Sequence, residues 1–555
     1  MRKQKNEIAT MKEDTIVKKI NRRSFLKAMG VVAAAGTLAA CGGSSNNSGS
    51  TTASGSAGSA ASAAPAKAGD GILTIAYATA IDSLTPFRAN TGRDAPYLKQ
   101  IFESLAILNS NHKLDPWVAK EWSTEDNGFT YTITIHEGVK DSAGNPYTAD
   151  DMVWFIEESK ARALKPIWTK VDSISKIDDT SVEIKLTSNI VGAIETILQD
   201  TYIVTKAAFE ASSDEFGTSC VTTSPYKVTE FTASSTLSLE KRDDYWQDVS
   251  AMPEVAQANV DKINYVTITE ASQMGIALET GTVDLVINMD LSTGAQFVDR
   301  DGYTVDMTEG PQGWTLFFSG ADNSPCANDV ALRQAICYSI DQDGLLTGLC
   351  SGYGTHMWDA HSPLHIGFNE KWRDEDYYNY SVDKAKEKLA ESSYAGQSLK
   401  LLCSSNTFTQ RLAQMLQSYL MEAGINCELL SGDMAYITSV RLDGTKYDMF
   451  INTIGGTYLP DAWSIRYDPK AYSTGDATSR HDYELGDLLY QCWTPEGWTE
   501  ENIDKVHYYL KDNAIAYGLL DPYNFCIWRN EIGVENVVHG GFGYIAPAAS
   551  TYSNY

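Results

Sequence analysis

The 555-residue sequence lacks the motifs that mark most enzymes and metal-binding modules. None of its nine cysteines forms a C-x-x-C pair, which argues against zinc-ribbon and thioredoxin-like folds. Beyond residue 70 there is no G-x-S-x-G elbow, no H-E-x-x-H motif and no phosphate-binding glycine loop. A pair of carboxylates in a cleft, as in a secreted hydrolase, remains an alternative. We nevertheless expect a protein that is not an enzyme and needs no cofactor.

Basic residues are scarce after the N-terminal segment. The first forty residues hold nine Lys or Arg and three acidic residues, so the remainder keeps 35 basic and 69 acidic residues, a net charge of −34. A surface this acidic repels nucleic acid and anionic lipid. We therefore expect no nucleic-acid partner.

The sequence also lacks a long apolar run. The run at residues 28–40 has thirteen residues, whereas a membrane span needs about 20. "RRSFLK" before it resembles a twin-arginine export signal, and "LAAC" at its end resembles a lipobox. Residues 1–40 are therefore interpreted as a signal peptide and Cys41 as the lipidated mature N-terminus. Export by the general route, or a chance Cys41, are the alternatives.

The segment after Cys41 is dominated by Gly, Ser and Ala. Apolar residues do not recur there at the spacing of a helix or a strand, so residues 41–69 are predicted to be a flexible tether. A coil of this length reaches about 30 Å, at roughly 5–6 Å per square root of residue number. We thus expect the folded body to begin near residue 70 and to stay attached to the outer face of the cell membrane through its lipid alone.

The body shows mixed α and β patterns. Thr148 followed by Asp151 fits a capping box before an amphipathic helix. Residues 398–405, 408–424 and 425–430 predict a strand, a helix and a second strand, hence a parallel βαβ unit. The eight cysteines after Cys41 lie mostly in apolar segments, so we expect mainly buried free thiols.

A third strand of this unit, residues 447–456, ends in two glycines. Ligands in open α/β sheets lie beyond the carboxyl ends of the strands. Paired glycines also let a ligand approach the backbone closely. The segment "IGGTYLPDAW" is therefore a candidate binding loop.

Several long blocks, in order, resemble family 5 extracellular solute-binding proteins of ABC importers, the group with oligopeptide-, dipeptide- and nickel-binding members. Together they span nearly all of residues 70–530. The blocks begin with "IFESLAILNSNHKLDPWVAKEW" and continue with "TTSPYKVTEFTASSTLSLEKRDDYW", "VDKINYVTITEASQMGIALETGTVDLV", "NDVALRQAICYSIDQDGLL", "YSVDKAKEKLAESSY" and "YDMFINTIGGTYLPDAW".

The resemblance implies an α/β, two-lobe clamp of the periplasmic-binding-protein type (class II) that closes on its ligand. Lobe one would comprise residues 70–313 and 506–555, with an extra subdomain at about 113–217, and lobe two residues 314–505. The implied partners are the permease and ATPase subunits of an ABC transporter. A monomer is expected.

The resemblance also places the ligand cleft. The residues that it would bring to the ligand are Ser83, Leu84, Trp314, Phe317, Gly455, Gly456, Thr457, Tyr458, Trp463, Tyr523 and Phe525. Aromatic side chains suit such a site because they bury a large area at little entropic cost. Ordinary core packing is the alternative for each aromatic.

One position departs from the peptide-binding pattern. Peptide-binding members carry an Asp in the glycine loop that neutralises the α-ammonium of the peptide, and an unpaired buried ammonium would be costly. Thr457 stands at that position here, and the nearest acid is Asp461. Either Asp461 has taken over the role, or the ligand has no free amino group there. Short peptides are the favoured ligand, and an oligosaccharide, glycoside or metal chelate is the alternative.

His356, His361 and His365 form a second, weaker candidate site. Their spacing of five and four residues could serve a transition metal. Pro363 and Gly367 break any helix across this stretch. We therefore expect a structural loop and no metal site.

Overall fold

The computed structural model describes residues 69–555 except for 88–94, 164, 311–312, 359–360, 455–457, 471–481 and 542–543. The signal peptide, Cys41 and nearly all of the tether lie outside these residues. Gly455, Gly456 and Thr457 also lie outside them, as does the side chain of Asp461. Within the described part of the chain, every helix is too short or too polar to span a bilayer.

The strands of the described residues are numbered in chain order. They are β1 Leu73–Tyr77, β2 Ala106–Leu108, β3 Leu114–Pro116, β4 Ala119–Thr124, β5 Thr130–Ile135, β6 Val171–Lys176, β7 Ser181–Leu186, β8 Tyr226–Thr232, β9 Thr236–Lys241, β10 Lys262–Thr267, β11 Leu285–Met289, β12 Tyr303–Thr308, β13 Trp314–Phe318, β14 Gly354–Thr355, β15 Leu399–Ser404, β16 Cys427–Gly432, β17 Met449–Thr453, β18 Ala516–Pro522, β19 Asn524–Arg529, β20 Val534–Asn536 and β21 Thr551–Tyr552.

The α-helices are referred to by their bounds. They are Ala95–Ile101, Ala149–Arg162, Ala193–Asp200, Lys206–Ala211, Ala271–Glu279, Leu291–Gly294, Pro325–Asn328, Val330–Ser339, Gln342–Cys350, Val382–Glu391, Thr407–Ala423, Met434–Arg441, Leu459–Tyr467, Tyr483–Cys492 and Glu500–Asp512.

Two large sheets organise the molecule. The first has the order β12-β19-β11-β1-β10-β9-β8, and the second has the order β14-β18-β13-β17-β15-β16. In the first, β1 runs parallel to both of its neighbours, β10 and β11. Each sheet has its own buried apolar core: the core of the first includes Leu73 and Trp528, and that of the second includes Phe317 and Leu520. The protein therefore has two separately packed halves.

The predicted βαβ unit is confirmed in the second sheet. β15 pairs with β16 in parallel register, and helix Thr407–Ala423 joins them. The helix buries Leu412, Leu416 and Leu420 and ends at Gly424, as the apolar stripe predicts. β17 adds to the other side of β15, also in parallel, so its carboxyl end leads into the candidate binding loop.

A four-stranded antiparallel sheet of order β4-β5-β7-β6 lies within residues 119–186. Helix Ala149–Arg162 packs against it and begins with the predicted capping box, in which the Thr148 backbone N–H donates to Asp151 Oδ2 at 2.8 Å. The expected subdomain at 113–217 encloses this sheet, and its outer bounds stay a prediction. Two short pairs, β2-β3 and β20-β21, complete the described strands.

The chain passes between the large sheets twice. It leaves the first sheet after β12 and enters the second at β13, and it returns between β18 and β19. Both expected lobe bounds stay predictions; the first passage lies near the one at 313/314. The second differs from the expected bound at 505/506, because β18 pairs with β13 and β14 in the second sheet. Tyr523, the single residue between β18 and β19, is therefore the point of return.

Candidate ligand-binding site

The two chain passages meet beside Tyr523. Its side chain is half-buried, and its backbone N–H donates to the carbonyl oxygen of Tyr353 at 3.4 Å. Phe525, one residue into β19, is fully buried and packs edge-on against the Tyr353 ring, with ring centroids 5.5 Å apart. The loop that carries Tyr353 thus contacts Tyr523, where the chain returns, and Phe525 in the strand that follows. This region is therefore a candidate hinge.

Two carboxyl groups border the hinge. Asp521, at the end of β18, is almost completely buried, and burial raises its pKa to about 8, with Glu309 adding to the rise. Glu309 follows β12 and is half-buried, and burial raises its pKa although Arg373 opposes the shift. The Ser362 hydroxyl donates to the carbonyl oxygen of Gly310 at 2.9 Å. The hinge thus holds two carboxyl groups whose burial favours their protonated, neutral forms.

The three histidines do not converge on one point. Trp463 Nε1 donates to His361 Nε2 at 2.6 Å, so this ring nitrogen is already bonded. His356 Nε2 lies 2.9 Å from Asp343 Oδ1 instead. Burial lowers the pKa of His365 to about 4, so that ring is neutral at physiological pH. Among the described residues, no group of three or more potential metal ligands is found.

The loop containing these histidines braces the candidate binding loop. Ile366 forms a parallel bridge with Tyr458, and the Leu459 backbone N–H donates to the Ile366 carbonyl oxygen at 3.1 Å. Together with the Trp463–His361 bond, these contacts hold the start of helix Leu459–Tyr467. The loop that carries the histidines therefore fixes the position of the residues that follow β17.

A second contact joins the halves away from the hinge. The half-buried ring of Tyr458 lies against Gly192, which precedes helix Ala193–Asp200 on the side of the four-stranded sheet. Beside it, the Val191 N–H donates to the Trp493 carbonyl oxygen at 2.7 Å. Burial raises the pKa of Tyr458, and nearby Glu195 adds to the rise. The halves thus touch at the hinge and at this rim.

The sequence-predicted ligand residues divide into two groups by burial. Ser83, Trp314, Tyr458 and Tyr523 are half-buried, as a residue exposed to a cleft would be. The other described ones are fully packed in the cores: Leu84, Phe317, Trp463 and Phe525. The Trp314 ring packs at 5.3 Å from that of Phe408, which anchors one face of the indole.

Sequence reasoning missed Asp521, Glu309 and Gly192. A signal for Asp521 exists in "AYGLLDPY", where a single acid interrupts an apolar strand directly before a proline. Gly192 carries no such signal, because its role depends on Tyr458, which lies far away in the sequence.

Two halves with separate sheets and cores, joined by two passages of the chain, are the arrangement of a two-lobe binding protein. The model of bacterial extracellular solute-binding proteins, family 5 (middle), matches residues 113–473, and this chain belongs to that family. A twin-arginine translocation signal model matches residues 19–39, which indicates export from the cytoplasm. Both sequence-based expectations are confirmed.

Curated relatives match a long part of the chain. The glutathione-binding protein GsiB of Pectobacterium atrosepticum is 22% identical over 370 residues, which covers 65% of this chain and 69% of that protein. GsiB of Escherichia coli strain K12 is 23% identical over 368 residues, with the same coverage.

Solved structures confirm the two-lobe periplasmic-binding-protein fold. DppA from Helicobacter pylori, in complex with the peptide STSA, has a TM-score of 0.69 at 20% identity, covering 87% of this chain and 98% of DppA. NikA from Brucella suis, in complex with Fe(III)-EDTA, has a TM-score of 0.72 at 18% identity, covering 87% and 100%. Family members of this kind work with the permease and ATPase subunits of ABC transporters.

Proposed function

We propose that this protein captures short peptides between its two lobes and delivers them to an ABC importer. The observation that carries the proposal is the placement of half-buried aromatics at both points where the halves meet, Tyr523 at the hinge and Tyr458 at the rim. Rings at these places would cover a ligand when the lobes close, with little loss of rotamer entropy. The lobe passages would then be residues 309–313 and Tyr523.

Ser83 and Trp314 complete the proposed site from the first and second halves. Ser83 offers a hydroxyl in a half-buried loop after β1, and Trp314 offers an indole at the start of β13. The glycine loop, residues 455–457, and Asp461 are proposed to bind the peptide backbone and its ammonium group. We propose that four buried residues pack beneath the ligand-contacting residues and hold them in place: Leu84, Phe317, Trp463 and Phe525.

A non-peptide ligand is the second candidate. The observation that favours it is Thr457 at the position where peptide-binding members carry an acid. The structural neighbour NikA holds a metal chelate, and GsiB is a glutathione-binding protein, so ligands differ within this group. A hydrolase would be a third class, and turnover of ligand by the purified protein would reveal it.

Mass spectrometry of ligand released by denaturing the purified protein tests the proposal. We expect a mixture of short peptides with no common amino-acid sequence. Recovery of a sugar or a chelate, with no peptide, would replace the first candidate by the second.

The role of Asp461 can be tested with the recovered peptide. Asp461→Asn should weaken its binding at least tenfold and should not weaken binding of the same peptide with an acetylated amino end. Glu422→Gln, a charge-neutralising change elsewhere in the second half, is the control. Equal affinities of wild type and Asp461→Asn would exclude Asp461 as the ammonium partner.

The tether to the membrane is likewise proposed, with Cys41 as the lipidated residue. Cys41→Ser should move the protein from the membrane fraction to the soluble fraction of cells. Retention of the variant in the membrane fraction would contradict lipidation at this position.

A further inference from the structure

A second cavity lies wholly outside the proposed cleft. Its volume is about 170 Å³, and it is lined by helix Ala95–Ile101, strand β2, residues 255–257, and residues 540–541 and 544–548 of the C-terminal segment. All of its described lining residues belong to the half that contains the first sheet and the four-stranded sheet. It is therefore separate from the hinge and from the rim.

The walls of the cavity are mostly apolar. The apolar lining residues include Ile107, Leu108, Trp117, Val255 and Ile545. The C-terminal segment approaches β2 closely because position 541 is a glycine, where a Cβ would lie only 2.3 Å from Leu108 Cδ2. The half-exposed Tyr544 also lines the cavity and marks its opening to solvent.

Among the described residues that line the cavity, Lys99 alone carries a charge. Burial lowers its pKa to about 8, with Asp200 opposing the shift and Lys165 adding to it, so the amine remains mostly protonated at pH 7. The carboxylate of Asp200 already pairs with Lys165, at 2.8 Å between Nζ and Oδ1. The carboxylate that acts on Lys99 is thus already paired with another lysine, and the Lys99 ammonium places a positive charge in the wall of the cavity.

An apolar cavity with a single cation selects for an anion with an apolar body. A buried charge is stable only with a partner, and small-molecule sites combine apolar walls with a few polar groups. An apolar cavity of about 150 Å³ is known to bind benzene. The cavity here is of that size. Because the protein as a whole is acidic and repels anions, binding of an anion here would depend on the local charge of Lys99.

We propose that this cavity is a second ligand site, which binds a small carboxylate with a benzene-sized apolar body and pairs the carboxylate with the Lys99 ammonium. The site does not depend on the identity of the transported ligand. A ligand here would contact both β2 and the C-terminal segment, and would thereby stabilise their packing.

Calorimetric titration of the full mature protein tests this proposal with three probes of matched shape: 3-phenylpropionate, 3-phenylpropanamide and 3-phenylpropylammonium. The carboxylate should bind at least tenfold more tightly than the amide, and the ammonium should bind most weakly. Lys99→Met keeps the aliphatic stem and should remove the preference for the carboxylate. Lys120→Met, at an exposed lysine of β4, is the matched control and should keep it.

A second variant tests the cavity independently of its charge. Ala256→Leu adds apolar volume at a lining position and should weaken binding of the carboxylate and the amide alike. Ligand recovered from the cleft should bind both variants as it binds the wild type, which separates this site from the proposed transport function. Equal affinity for acid and amide, an unchanged preference in folded Lys99→Met, or no binding of any probe at millimolar concentration would overturn the proposal.

Discussion

The indole Nε1 of Trp463 donates a hydrogen bond to Nε2 of His361 at 2.6 Å, and both side chains are fully buried. The bond joins helix Leu459–Tyr467 to the loop that carries the histidines. It also assigns His361 the role of acceptor, which requires a neutral ring with its proton on Nδ1. The pair therefore gives both residues a packing role, and a part of Trp463 in ligand binding stays a prediction.

Trp463→Phe should destabilise the protein by about 1–3 kcal/mol, because a buried acceptor then loses its donor. Urea unfolding of the variant measures this loss. Trp122→Phe, at a half-buried tryptophan of β4, is the control and should change stability by less than about 0.5 kcal/mol. An unchanged midpoint for Trp463→Phe would show that the bond contributes nothing.

The eight cysteines after Cys41 all lie in the described part of the chain, where no disulfide joins them and six of them are buried. Burial raises the pKa of the half-buried Cys220 and Cys427 to about 12, so even these two are almost entirely protonated at pH 8. Since the thiolate is the reactive form, the native protein should react with a thiol reagent slowly, at no more than two sites. After denaturation without reductant, eight thiols should react.

A lower count after denaturation would reveal disulfides formed after export. A count of eight fits the twin-arginine signal, because that route exports proteins that have already folded in the reducing cytoplasm.

Asp521 should make stability depend on pH. Burial raises its pKa to about 8 in the folded protein, whereas an unfolded Asp titrates near 3.9. Between these values the folded state holds the additional proton, so raising the pH removes stability, at a rate that approaches about 1.4 kcal/mol per pH unit. Asp521→Asn cannot ionise, so we expect it to be more stable than the wild type at pH 8.

The measurement is the difference in unfolding free energy between wild type and variant from pH 5 to pH 8. As the pH rises, the unfolding free energy of Asp521→Asn should increase steadily relative to that of the wild type. Glu121→Gln, at an exposed glutamate of β4, should show no such trend. A flat difference for Asp521→Asn would mean that the carboxyl is ionised and hydrated in the folded protein.

The sequence predicts local structure well where the signal is local. The stripe of Leu412, Leu416 and Leu420 and the Thr148–Asp151 capping box each act within a few residues, and both are confirmed. The second lobe boundary stays a prediction, because β18 is an apolar strand that either sheet could bury. Its pairing with β13 and β14 places this strand in the second sheet.

Site residues are harder to predict, because cleft and core use the same side chains. Trp314 and Trp463 are both predicted ligand residues, yet one is half-buried and the other is fully enclosed. Periodicity does not distinguish them, since what decides is the packing of a distant loop around His361. For the same reason no pattern in the sequence indicates that Tyr458 rests on Gly192.

Gly192 tests whether the rim contact favours the closed clamp. Its φ is +91°, and a Cβ there would lie 2.7 Å from Tyr458 Cδ2. Gly192→Ala should therefore push the two halves apart at the rim and weaken binding of the recovered ligand by about tenfold. Gly144→Ala is the matched control, because its φ is +88° and no atom lies within 4 Å of the added methyl.

Both variants should lose about 1 kcal/mol of stability from backbone strain alone, so the difference between them isolates the contact with Tyr458. Calorimetry gives the affinities, and small-angle X-ray scattering gives the radius of gyration with ligand bound. We expect a larger radius for Gly192→Ala only. If both variants bind the ligand equally well, the rim contact does not contribute to closure, and the hinge beside Tyr523 must set it alone.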